Sequence, residues 1–214
     1  MTAPHPTGPP VLDRRDAAAL RFGAALALTG AAVWLLGAFL SVLLPLLTDQ
    51  GLQRELLLAD GGAPAGVGAL PEGVRALASD TAALAIDVSV LSDGAVALLL
   101  TEAGLSNLVG AIVAGAIAYS LRRIARGDAF HRSMFAVAVV AGCALSIGMM
   151  LATGLGGFGR MMAGDELNTL LGSDVLAVGF EFDPLPVLIG FAVLGLAAVF
   201  RIGARLQRET DGLV

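Results

Sequence analysis

The chain of 214 residues contains no lysine, one cysteine, one tryptophan, one tyrosine and two histidines. The lone Cys143 excludes an internal disulfide. His5 stands among prolines and His131 beside Arg132, so neither forms a zinc cluster with that cysteine or a base for a nucleophile. No enzyme activity and no cofactor are therefore expected. Charge is also scarce, at 14% of residues against 57% hydrophobic, with a mean hydropathy of +0.83. A soluble fold has no place to bury that much apolar surface.

What the chain has instead is four long apolar runs. A bilayer core of about 30 Å takes roughly 20 helical residues at 1.5 Å each. The expected spans are 22–48, 102–121, 134–155 and 185–204. No ionisable residue interrupts the first, and no small-x-small site closes it before Thr48, so it reads as an uncleaved anchor. Asp16 directly after Arg14 and Arg15 argues against a twin-arginine signal. The second starts between Gly94 and Ala103, with Glu102 interrupting the longer choice. The fourth is short, since Leu185 to Phe200 reaches only about 24 Å; Arg201 then snorkels to the headgroups while the helix continues.

With lysine absent, only arginine reports orientation. Arg14, Arg15 and Arg21 precede the first span, Arg122, Arg123, Arg126 and Arg132 separate the second from the third, and Arg201, Arg205 and Arg208 close the chain. Only Arg54, Arg75 and Arg160 fall in the other two loops. The expected topology is multi-pass in the plasma membrane, with both termini cytoplasmic. The acids sort the same way: Asp13, Asp16, Asp128, Glu209 and Asp211 fall inside and the rest outside, so the low pI belongs to the outer face and the inner face is locally basic.

Residues 1–21 read as a disordered cytoplasmic tail, rich in proline at its start. In the outer loop, 49–101, short helices are expected at 53–59 and 71–83 around a glycine and proline linker at 61–68. Ile86, Val88 and Val90 then alternate with polar residues, and Leu176, Val178, Phe180 and Phe182 alternate in the second outer loop, 156–184. The expected fold class is thus an all-α membrane protein of four transmembrane helices, with a small extracytoplasmic β-containing subdomain formed by the two outer loops. Residues 122–133 form an inner basic loop in which Gly127 takes a left-handed cap and Asp128 caps the third helix. Residues 205–214 form a cytoplasmic tail. Small residues recur four apart, as in Gly110, Ala114 and Ala118, which suits close helix packing within the bundle or in a homo-oligomer.

None of these spans places an ionisable group near mid-membrane. Glu102 lies about 27 Å from the arginine edge, at the outer interface, and reads as an ordinary interfacial carboxylate. Asp165 with Glu166, and Glu181 with Asp183, read as solvated acids rather than calcium ligands. On the inner side, Arg201, Arg205 and Arg208 recur at helical spacing and form a basic collar with Arg122, Arg123 and Arg126. The collar meets lipid headgroups, with docking of a cytoplasmic protein as its sharper use.

Two segments carry a family likeness. Leu121-Arg-Arg-Ile-Ala-Arg-Gly-Asp-Ala-Phe-His-Arg-Ser133 resembles the inner loop of a family of four-helix bacterial membrane proteins catalogued as domain of unknown function 2975. The tail Leu196-Ala-Ala-Val-Phe-Arg-Ile-Gly-Ala-Arg-Leu-Gln-Arg-Glu-Thr-Asp-Gly-Leu-Val214 is similar to that family's ending. The family's loop commonly reads glycine, acid, proline, phenylalanine, and Ala129 here replaces the proline. The resemblance implies no assigned activity. Its members are often encoded beside a small helix-turn-helix regulator, which implies a membrane partner of a transcription factor. The expected function is accordingly non-enzymatic: a sensor, or a membrane partner of such a regulator, with no direct nucleic-acid binding. The alternative is a small transporter or permease accessory subunit.

Overall fold

A computed structural model describes residues 13–47, 52–55, 74–76, 83–128, 131–172, 176 and 182–211. Four helical stretches are long and apolar enough to cross a membrane. Helix α1 is Arg14–Leu47, α2 is Asp93–Ile124, α3 is Arg132–Cys143, α4 is Met149–Leu171 and α5 is Leu185–Asp211. Helices α3 and α4 form one continuous stretch through a π-helical turn at Ala144–Gly148.

Close approaches at glycines show how the helices run. A Cβ at Gly23 would lie 3.3 Å from Leu121, and one at Gly110 would lie 2.7 Å from the Trp34 ring, so α1 and α2 are antiparallel neighbours. Gly148 faces Val109, and Gly159 faces Leu98 and Leu99, which lays the third span antiparallel to α2. At Gly142 a Cβ would meet Leu194 at 2.6 Å, so α5 runs back along α3. In lipid, association rests on such close packing rather than on a hydrophobic force between helices.

The packed core sits at one end. Leu52, Ile86, Leu91, Ala95, Val96, Leu99, Leu100, Ala163, Leu167 and Leu176 form a buried cluster where α2 begins and α4 ends. Elsewhere large apolar side chains lie open, with Phe22 67% exposed, Phe39 61% and Leu188 61%. This is the distribution of a bundle whose solvent is hydrocarbon. Ser92 opens α2, its hydroxyl accepting from the Ala95 amide at 3.3 Å, and Gly172, at φ 64°, closes α4.

Several expectations need correction. The stretch read as a tail is helical from Arg14, and α5 continues to Asp211 where a tail was expected. Residues 1–12, 212–214 and the linker 61–68 lie outside the described residues. The third span does not stop at Leu155. Its glycines there provide close contact rather than termination: a Cβ at Gly156 would overlap the Glu102 carboxyl. Arg160 therefore belongs to a helix and not to a loop.

The β-containing subdomain built by both outer loops is not supported. Short strands β1 (Leu52–Glu55), β2 (Val74–Ala76) and β3 (Ala83–Ile86) pair antiparallel in the order β1-β3-β2, all within the first loop. Leu52 pairs with Ile86, and their deep burial overrides the local helical pattern at 53–55 and 74–76; the rest of the two expected helices, but for Ala83 in β3, lies outside the described residues. The alternation beyond Ile86 fails for a local reason. The Asp87 carboxylate accepts from the Ser89 amide at 3.0 Å and its hydroxyl at 2.9 Å, turning Val88–Val90 into a 3-10 turn. Of the expected partner stretch from Leu176 to Phe182, residues 177–181 lie outside the described residues.

Candidate functional site

The antiparallel order gathers the arginine-bearing segments at one end of the bundle, opposite the packed core. Arg21 lies two residues before Gly23, which faces Leu121, and the Arg201 guanidinium lies 5.8 Å from the centre of the Phe135 ring. The six collar arginines differ in what holds them. Arg123 is internal to a network: its Nε donates to Tyr119 Oη at 3.0 Å, and its Nη1 lies 3.3 Å from Asp128 Oδ2. Tyr119 Oη in turn donates to Ser133 Oγ at 2.7 Å, joining α2 to α3. Arg122 and Arg126 are exposed. Arg205 lies one helical turn beyond Arg201, and Arg208 lies on the backbone of α5, its side chain outside the described residues.

Gly127 has φ 81°, the left-handed cap expected of it. The amide of Gly127 donates to the Ile124 carbonyl at 2.9 Å, and that of Asp128 to the Arg123 carbonyl at 3.1 Å. These two bonds make a Schellman closure of α2. Asp128 does not cap the third helix. That helix begins four residues later, and His131 is its cap, with Nδ1 accepting from the Ser133 amide at 3.2 Å. Asp128 instead holds Arg123 and accepts from the His131 amide through its carbonyl at 3.2 Å. Ala129 lies outside the described residues.

Between α2 and α3, just inside the Tyr119–Ser133 bond, lies a crevice of about 310 Å³. Ile112, Gly115, Ala116 and Tyr119 line one wall, and Ala136, Val137 and Val140 the other. Sequence reading missed it because it results from two helices that a short turn joins and small side chains keep from filling.

At the opposite end three polar contacts tie the core together. Arg160 Nη1 donates to Glu102 Oε1 at 2.7 Å, so Glu102 is no lone interfacial carboxylate. Glu166 accepts from the Ser92 amide at 2.8 Å and its hydroxyl at 2.6 Å, which gives this acid a structural task. The buried Asn168 side chain donates to the Leu176 carbonyl at 2.8 Å and accepts from its amide at 2.9 Å. Asp183 accepts from the Leu185 amide at 2.9 Å, and the side chain of Glu181 lies outside the described residues. Among the described residues no three histidine, cysteine or acidic side chains are grouped for a metal ion.

The apolar helices and the lopsided core define the class, a multi-pass α-helical membrane protein. No family model, curated protein or solved structure matches the chain.

Proposed function

We propose that the protein is a non-enzymatic component of the cell membrane that senses or binds at its packed end and engages a cytoplasmic helix-turn-helix regulator at its arginine end. The observation that carries this reading is continuity. Helix α2 runs unbroken from the packed core to the arginine-bearing end, and the third span follows it through one π-helical turn, so a shift at one end has a continuous route to the other. The resemblance of the inner loop and tail to the four-helix family supports this class of partner, and arginine placement supports cytoplasmic termini.

The test is crosslinking in cells followed by capture of the full chain. Arg205→Gln with Arg208→Gln should lose the regulator, while Arg75→Gln retains it. Insertion should survive, because eight arginines at one end still outvote the three elsewhere, Arg54, Arg75 and Arg160. Equal capture by both variants, or no regulator with the unaltered chain, overturns the proposal.

The Glu102–Arg160 pair favours a second reading, a small transporter or permease accessory subunit, because ionisable groups between spans often mark a pathway. Solute uptake unchanged by Glu102→Gln removes that reading.

A further inference from the structure

The crevice between α2 and α3 has a shape and a charge pattern that name its occupant. Its α2 wall is a single helical stripe: Ile112, Gly115, Ala116 and Tyr119 stand at i, i+3, i+4 and i+7. The same stripe continues outward through Arg122, three residues beyond Tyr119, and Arg126 follows in the turn that closes α2. Apolar wall therefore passes directly into two exposed cations, and Tyr119, hydrogen-bonded to Ser133 and Arg123, marks the boundary.

From Ile112 to Tyr119 the wall is about 10 Å long. The volume of about 310 Å³ equals roughly ten shares of liquid water at about 30 Å³ each. The crevice is open, with Ala136 and Val140 of its lining exposed, and water does not suit it, since its one polar lining side chain, Tyr119, is already bonded. Left empty, the crevice would forfeit the dispersion contacts of its lining.

We infer that this crevice holds one acyl chain of an anionic phospholipid, with the lipid phosphate on Arg122 and Arg126. Gly115 provides the means to test it, because it lines the crevice and a Cβ there meets nothing within 4 Å. The inference needs only a membrane setting and stands independently of any regulator.

The experiment is native mass spectrometry of the full chain in mild detergent, exposed to equal amounts of phosphatidylglycerol and phosphatidylcholine with the same acyl chains. One phosphatidylglycerol should be retained per chain, favoured by about fivefold for each contributing arginine. Gly115→Phe should abolish retention, whereas Gly154→Phe, at an equally open position on α4, should not. Arg122→Gln with Arg126→Gln leaves the crevice intact, so a lipid should still be retained but with the headgroup preference lost. Millimolar inorganic phosphate should not displace the lipid. Equal retention of both lipids by the unaltered chain, or an unchanged preference in the arginine variant, overturns the assignment. So does a dimer that Gly115→Phe disperses, since a second copy would then fill the crevice.

Discussion

Arg160 and Glu102 meet with 2.7 Å between Nη1 and Oε1, across the contact between α4 and α2, with about a fifth of each side chain exposed. The pair stands beside the packed core, about two to three helical turns inside the Glu166–Ser92 contact. Removing one partner leaves the other charge poorly solvated. Arg160→Ala should therefore cost about 2 kcal/mol, between the exposed and buried limits for ion pairs. A Glu102→Gln, Arg160→Leu double variant should recover part of the loss. Denaturant unfolding in detergent micelles measures this, and additive single effects would show that the two side chains are not coupled.

Gly156 and Gly154 make a contrast two residues apart on the same helix. A side chain at Gly156 would overlap the Glu102 carboxyl, whereas one at Gly154 meets nothing within 4 Å. Gly154→Ala should be neutral or stabilising by up to about 1 kcal/mol through helix propensity. Gly156→Ala should lower the melting temperature, and Glu102→Ala in the same chain should relieve part of that loss.

Asn168 closes the backbone amide and carbonyl of Leu176 with its side chain. Asn168→Ala would leave a buried amide and carbonyl unsatisfied, at a cost of about 2 kcal/mol. Asn168→Asp keeps the acceptor but loses the donor, and should be damaging too. Hydrogen exchange at the Leu176 amide should accelerate in both; unchanged protection would mean that another group closes that amide.

His131, rather than Asp128, should carry the cap of α3. His131→Ala should cost about 1 kcal/mol, and His131→Asn should restore most of it. Asp128→Asn should act differently, weakening only the exposed tie to Arg123 by less than about 1 kcal/mol.

Orientation is checked by cysteines at Ser89 and Arg126, both exposed, in a Cys143→Ala background. An impermeant maleimide applied to intact cells should label the first and spare the second. The reverse pattern would invert the topology drawn from arginine placement.

The spans were legible because their cause is one-dimensional: an unbroken apolar run must be helical in lipid, whatever else surrounds it. Gly127 was legible for the same reason, a local conformational demand that shows in the residue type. Part of what sequence reading missed depends on a partner far along the chain, and part on short local contacts. The glycines after Leu155 look like a helix end until Glu102 and Leu99 are seen lying against them. Val88 and Val90 keep strand periodicity, yet Asp87 diverts the backbone through a contact only two residues long. Asp128 follows the right glycine but stands too far before α3 to reach its first amides.

The π-helical turn at Ala144–Gly148 gives the third span two allegiances. Below it, α3 packs on α5 through Gly142 and Leu194; above it, α4 meets α2 through Gly156 and Glu102. Rewinding the turn as ordinary α-helix with no residue removed would rotate one half against the other. Both faces could not then keep their partners. The turn therefore acts as a phase offset, and a change in its winding is the least motion by which one half of the bundle could turn without the other.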